Sequence, residues 1–163
     1  MIQRIVETSD IIRMRIVIQR VAHASVSIDG KVKSAIGRGF LILLGVCAED
    51  TSEDAAWLAR KTASLRIFED DNGVMNRPIT DIGGEALVIS QFTLMASYKK
   101  GNRPSWIRAA GHETAIPLYK EFCTLLGEAT GCPVGTGEFG ADMKVELLND
   151  GPVTICMDSK NPE

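Results

Sequence analysis

The side chains able to carry out chemistry in this 163-residue chain are few and scattered. Two histidines, His23 and His112, and four cysteines, Cys47, Cys123, Cys132 and Cys156, are spread along it. A hydroxyl or thiol nucleophile needs a base within hydrogen-bond reach. Neither histidine has such a partner close by: His23 reads as a structural strand residue and His112 as a solvated one beside a helix start. No Walker A sequence and no G-x-S-x-G elbow is present. No cysteine pair has C-x-x-C spacing, and two scattered histidines rarely build a metal site, so no metal or other cofactor is expected. Gly135-Thr136-Gly137-Glu138-Phe139-Gly140 matches G-x-G-x-x-G. A dinucleotide fingerprint needs a strand before it and a helix after it, whereas here a helix and loop precede and a strand follows. Ser90, Gln91 and Thr93 are left, clustered at the end of an apolar strand and followed by a basic loop. Chemistry without a side-chain base has to rest on backbone donors and on the substrate itself. The residue types alone leave a second account open, a solvated strand end whose Ser and Thr satisfy edge hydrogen bonds.

Periodicity supplies the elements that would position these residues. Residues 14–18 begin a strand with Ile16 and Ile18 on one face. Val26 and Ile28 alternate with Ser25, Ser27 and Asp29, and Asp29-Gly30 is a two-residue hairpin signal from which Lys31-Val32-Lys33 returns. Gly37 and Gly39 break the chain before an apolar strand over 40–47. Thr51 or Ser52 then caps a helix with acids in its first turn, and Ala55, Leu58, Ala59, Thr62 and Leu65 recur at helical spacing. A strand over 65–68 reaches the turn Asp70-Asp71-Asn72-Gly73, and alternation predicts a long strand over 85–94. A polar loop spans 97–104. A second helix starts near Glu113 on the stripe Ala115, Leu118, Tyr119, Phe122, Leu125 and Leu126, with Pro117 tolerated near its first turn. A glycine-rich loop over 127–140 leads to two last strands, 143–148 and 153–157, joined by Asn149-Asp150-Gly151-Pro152. Many strands, two helices and hairpins near both ends predict a mixed α/β fold, with antiparallel and mixed sheets and the helices on one side.

The length fits one domain, large enough to bury a core without staples. The longest apolar run, Phe40 to Leu44, is cut by Gly45, far short of the roughly 18–20 residues that span a bilayer. No signal peptide is read at the start, so a cytoplasmic location without membrane attachment is expected. Cys47 and Cys156 lie in apolar strand-like runs and are expected to be buried, reduced thiols. A net charge of −3 argues against a general RNA-binding module that grips many phosphates. It leaves room for an enzyme that holds one end of an RNA.

Ser90-Gln91-Phe92-Thr93-Leu94 and Asn149-Asp150-Gly151-Pro152-Val153-Thr154 resemble the two signature motifs of the D-aminoacyl-tRNA deacylase family. Residues 14–21 look like that family's opening strand. Lys99-Lys100-Gly101-Asn102-Arg103-Pro104-Ser105 looks like the loop after its first motif, and Phe139-Gly140-Ala141-Asp142-Met143 like the approach to its second. The resemblance runs in order from Met14 to about Asp158. It makes residues 14–158 a single deacylase domain, with 159–163 as a C-terminal tail. Residues 1–13 are then an N-terminal extension or, more simply, the product of a misplaced start.

The resemblance implies two packed, mostly antiparallel or mixed sheets closing barrel-like, with two helices on one side. It implies hydrolysis of the ester between a D-amino acid and the 3′-terminal adenosine of tRNA. Ser90, Gln91, Phe92 and Thr93 would form the catalytic segment, with the Phe92 backbone N–H and its neighbours holding the oxyanion and Thr93 as a positioning hydroxyl. The tRNA's 2′-hydroxyl would handle the proton. Gly151-Pro152, joined cis, would enter the site of the partner subunit in a homodimer and exclude an L side chain, while glycine, lacking a Cβ, would escape. Arg20 would steady that tip, with Asn149, Val153 and Thr154 around it; the residue type by itself also allows an exposed strand cation. Phe139 and Met143 would line the pocket, although core filling explains Met143 equally well. Lys99, Lys100 and Arg103 would contact tRNA phosphates. A related editing deacylase of different specificity, or a tRNA-end binder without turnover, are the alternatives.

Overall fold

The computed structural model describes residues 13–162, so most of the N-terminal extension, residues 1–12, lies outside the described residues, as does Glu163. Strand β1 (Arg15–Ile28) leads through Asp29 and Gly30, both at positive φ, into β2 (Lys31–Ile36), as a primed hairpin turn requires. Strand β3 (Gly39–Gly45) pairs antiparallel with the first half of β1, and β6 (Glu85–Ser90) adds to β3 in parallel. A short β7 (Val134–Thr136) pairs parallel with β6, and the long β8 (Lys144–Asp158) lies antiparallel along β1. The Ser34 hydroxyl donates to the Thr136 carbonyl at 2.7 Å, which draws β2 towards β7 and nearly closes the sheet into a barrel. Strands β4 (Phe68–Glu69) and β5 (Met75–Arg77) make a small separate hairpin.

Helices α1 (Ser52–Ser64) and α2 (His112–Thr130) pack together with the sheet. Thr51 caps α1 in a box with Asp54, which answers N–H groups that a helix start leaves unpaired. Ile16 and Ile18 of β1 with Phe40, Ile42 and Leu44 of β3 form one core cluster with Leu58, Leu118, Phe122 and Leu126 of the helices. Leu41 of β3 joins Val21 and Val26 of β1, Ile36 of β2, and Leu87 and Ile89 of β6 in a second cluster. Strand β3 is thus buried on both faces, and its sequence is continuously apolar rather than alternating.

The structure differs from the sequence expectation in six places. The strand from Glu85 stops at Ser90, and Phe92–Met95 forms a 3-10 turn. Its neighbour runs out there: Ser90 pairs with Leu44, the Gln91 N–H donates to the Leu44 carbonyl at 2.7 Å, and β3 ends one residue later. The two expected last strands are one strand, because both halves of β8 pair with β1 instead of with each other. Cys156 is exposed, on the outward side of the alternation in β8. Helix α2 begins at His112, so Pro117 sits in its second turn rather than its first. The glycine-rich stretch contains β7, and no helix follows it before Lys144, which leaves Gly135 to Gly140 without the setting of a dinucleotide fingerprint. The expected strand over 65–68 contracts to Phe68–Glu69, since Leu65 is still the cap of α1.

Candidate active site

Where β6 gives way to the 3-10 turn, a cavity of about 580 Å³ opens at one end of the barrel. Ser90, Gln91 and Phe92 form one wall, Ala109, Ala110 and His112 a second, and residues 139–143 with Val145 a third. Ile89, Met143 and Val145 belong to the second core cluster or pack on it, so the floor of the cavity is the end of the barrel interior. Met143 therefore serves both as core and as lining. Gly45 permits the wall at Ser90 to Phe92: a Cβ there would stand 3.0 Å from the Gln91 carbonyl oxygen and 2.9 Å from Met95 Cε.

The 3-10 turn presents the backbone at this wall. Gln91 caps it, the Leu94 N–H donates to the Gln91 carbonyl at 3.2 Å, and the N–H groups of Phe92 and Thr93 stand at its start, where a helical turn offers no internal partner. The Gln91 side-chain amide donates to the Thr93 hydroxyl, which is exposed and outside the cavity lining. Thr93 is thereby tied to Gln91 rather than to any base. Phe139 stands across from Phe92, its ring edge-on to His112 at 5.3 Å and to Tyr119 at 6.2 Å. The Tyr119 hydroxyl donates to the Val88 carbonyl at 2.7 Å, which fastens α2 to β6 directly behind the wall.

No thiol offers a nucleophile here. Cys123 borders a neighbouring cavity of about 380 Å³ that shares Phe139, and burial pushes its thiol up to about 11. Burial also pushes Cys47 up to about 11, so both stay protonated near neutrality. No cluster of His, Cys, Asp and Glu with metal-binding spacing occurs among the described residues.

A second assembly lies at the middle of β8. Its register with β1 slips between Asn149 and Thr154, and the extra residues leave the ladder as a projecting tip. The Gly151–Pro152 bond is cis, Gly151 has φ 139°, and both residues are exposed. Arg20, only 5% exposed, holds the tip from below. Its Nε donates to the Asp150 carbonyl at 3.0 Å and its Nη1 to the Ile67 carbonyl at 2.7 Å. The exposed-cation reading of Arg20 is thus replaced by a buried clamp. Asn149 Nδ2 donates to the carbonyls of Arg20 and Val153, at 3.1 and 3.0 Å, closing the base of the bulge. The Thr154 hydroxyl accepts from Gln19 Nε2 at 3.4 Å, and Val153 packs on the helical core cluster.

Of the residues expected to form a site, Ser90, Gln91, Phe92, Phe139 and Met143 meet at the cavity. Arg20, Asn149, Gly151, Pro152, Val153 and Thr154 meet at the tip, and none of these six lines that cavity. Lys99, Lys100 and Arg103 are exposed on a loop that leaves the cavity wall. His112, set aside in the sequence as solvated, is exposed yet lines the cavity against Phe139, and Ala109 and Ala110 joined it unannounced. Nothing in the local sequence marks them, because α2 is swung against β6 by tertiary packing.

A model of the D-Tyr-tRNA(Tyr) deacylase family matches residues 17–158. The chain belongs to this family. Its relatives within the D-aminoacyl-tRNA deacylases include one from Phocaeicola vulgatus, 67% identical over 150 residues that make up 92% of this chain and 100% of that protein. One from Chromobacterium violaceum is 55% identical with the same coverage. The solved structure of a c-Myc DNA unwinding element binding protein superposes with a TM-score of 0.83 at 41% identity, covering 88% of this chain and 97% of that one. A probable eukaryotic D-amino acid tRNA deacylase shares the fold, with a TM-score of 0.76 at 17% identity over 89% and 98% of the two chains. The mixed α/β, barrel-like architecture expected from the sequence is therefore the family fold. No helix among the described residues is long and apolar enough to cross a membrane.

Proposed function

We propose that this chain hydrolyses the ester between a D-amino acid and the 3′-terminal adenosine of tRNA, working in the cytoplasm as a proofreading enzyme. The observation that carries the reading is a cavity walled by a backbone turn, with no paired nucleophile and base among its lining residues. Relatives up to 67% identical that are named D-aminoacyl-tRNA deacylase support it. An acyl ester is already activated, and attack of water on it develops an oxyanion. The N–H groups that open the Phe92–Met95 turn are suited to receive that charge. Ser90 and Gln91 hold the wall and the terminal adenosine, with Phe139 facing them, and Thr93 positions Gln91. With no paired nucleophile and base among the lining residues, the substrate's own 2′-hydroxyl handles the proton.

Selection of handedness falls to Gly151-Pro152, acting in the cavity of a second copy. Support comes from separation: the tip is exposed and clamped, yet it does not line the cavity of its own chain. A homodimer that exchanges tips would complete two sites at once. Exclusion of an L side chain by a rigid bend requires no recognition of the D side chain, so specificity is broad and glycyl-tRNA is also cleaved.

The test is the ester lifetime of matched D-tyrosyl-, L-tyrosyl- and glycyl-tRNA with purified protein. Rapid loss of the D and glycyl esters with the L ester spared is expected. Retention of D-tyrosyl-tRNA in a gel with no shortening of its ester lifetime would identify a binder instead. A preference for some L-aminoacyl-tRNA would identify an editing enzyme of another specificity. A 2′-deoxyadenosine terminus charged at the 3′ position should react far more slowly.

A further inference from the structure

We propose that the arm between Ser97 and Ser105, with Trp106 and Ile107 at its return, is a stacking platform for the unpaired nucleotides preceding the terminal adenosine; this rests on the tRNA-ester reading above. The arm is a built element. Ser97 and Ser105 exchange both backbone hydrogen bonds, at 2.9 and 2.7 Å, closing a small hairpin. Its base is fastened by Arg108, whose Nη2 donates to the Ala96 carbonyl at 3.0 Å, and by the Ala110 N–H donating to the Val46 carbonyl at 2.9 Å. The arm leaves the catalytic wall at Met95 and returns to it at Ala109 and Ala110, which line the cavity. The arm therefore borders the cavity, on a path open to an acceptor end whose last residue lies inside.

The arm's surface has two properties that suit such a strand. Residues 97–108 carry Lys99, Lys100, Arg103 and Arg108 and no acid, in a chain whose net charge is −3. Tyr98 is 80% exposed, Ile107 87% and Trp106 40%, and the Trp106 ring stands edge-on to Phe92 at 5.2 Å. An aromatic series thus runs from the cavity outward, Phe92 to Trp106, with Tyr98 further along the arm. Cations flanking exposed aromatic faces are the pattern that binds single-stranded nucleic acid, through phosphate contacts and base stacking that tolerate any sequence. The charge favours a polyanion over a second copy of an acidic chain as the occupant.

The experiment compares two substrates, D-tyrosyl-tRNA and the D-tyrosyl ester of adenosine, which lacks every upstream nucleotide. Tyr98→Ala should lower kcat/KM on the tRNA at least about fivefold, a modest value for one lost base stack. It should leave turnover of the adenosine ester at the wild-type level, and Tyr98→Phe should restore the tRNA rate. An equal loss on both substrates, no loss on either, or a change of oligomeric state on sedimentation would each overturn the platform. Wild-type protein inert towards both esters sinks the deacylase reading itself. Wild type active on both, with Tyr98→Ala indistinguishable from it, sinks the platform alone.

Discussion

The cavity and the tip solve opposite problems with different materials. The cavity is concave and built largely from main chain and neutral side chains, on a turn pressed against β3. The tip is convex and exposed, and it is held by one buried guanidinium and one amide. Catalytic donors are useful when they are fixed and dry, whereas a steric filter has to project towards whatever it screens. One chain carries both halves without bringing them together, which is why the proposed site needs a second copy.

Arg20 is where the tip and the cavity can be uncoupled most strongly. Arg20→Ala removes two charge-assisted bonds, a buried one to the Ile67 carbonyl and a half-buried one to the Asp150 carbonyl, and should cost about 3 kcal/mol of stability. A melting temperature lower by about 10 °C checks that. With the tip unclamped, hydrolysis of L-tyrosyl-tRNA should rise while the D rate falls much less. Equal losses on both would mean that the tip does not select.

A titration at a residue that lines neither the cavity nor the tip tests whether they can be separated from global stability. Asp50 is buried, accepts the N–H groups of Met14 and Cys47 at 2.9 and 2.6 Å, and has its carboxyl raised by burial to about 6. The folded state therefore holds this proton more tightly than the unfolded chain. The resulting stability is fully present below about pH 4 and is lost as pH rises through about 6. Relative to Asp50→Asn, the wild type should lose on the order of 2 kcal/mol between those limits, read by denaturant unfolding at each pH. The D-to-L rate ratio should not follow.

At the cavity, Gly45→Ala places a Cβ against the Gln91 carbonyl and Met95 and should push the 3-10 turn outward. A fall of about tenfold in kcat/KM on D-tyrosyl-tRNA is expected, equivalent to about 1.4 kcal/mol, with selectivity retained. The smallest effect belongs to Tyr119→Phe, which loses one buried bond to the Val88 carbonyl and about 1 kcal/mol of stability.

The same division explains what could be read from sequence. The hairpin at Asp29-Gly30, the capped helix after Thr51 and the stripe of α2 are local, and periodicity with turn chemistry announces them. The end of β6 at Ser90 is not local, because alternation continues to Leu94 and the ladder stops only where β3 stops. The two halves of β8 read as a hairpin because Gly-Pro between apolar runs is ordinarily a turn, and their common partner lies over a hundred residues away. His112 reached the cavity by helix packing, which no spacing encodes.

The pairing of β1 with β8 has a further consequence for how the molecule comes into being. Arg15 sits opposite Asp158, so β1 lacks one neighbour until more than a hundred further residues have been made. Until then its outer edge is an unsatisfied ladder, a species prone to aggregate. Loop closure over such a span is slow, and a chain stalled before β8 would be a client for chaperones rather than a partly active enzyme.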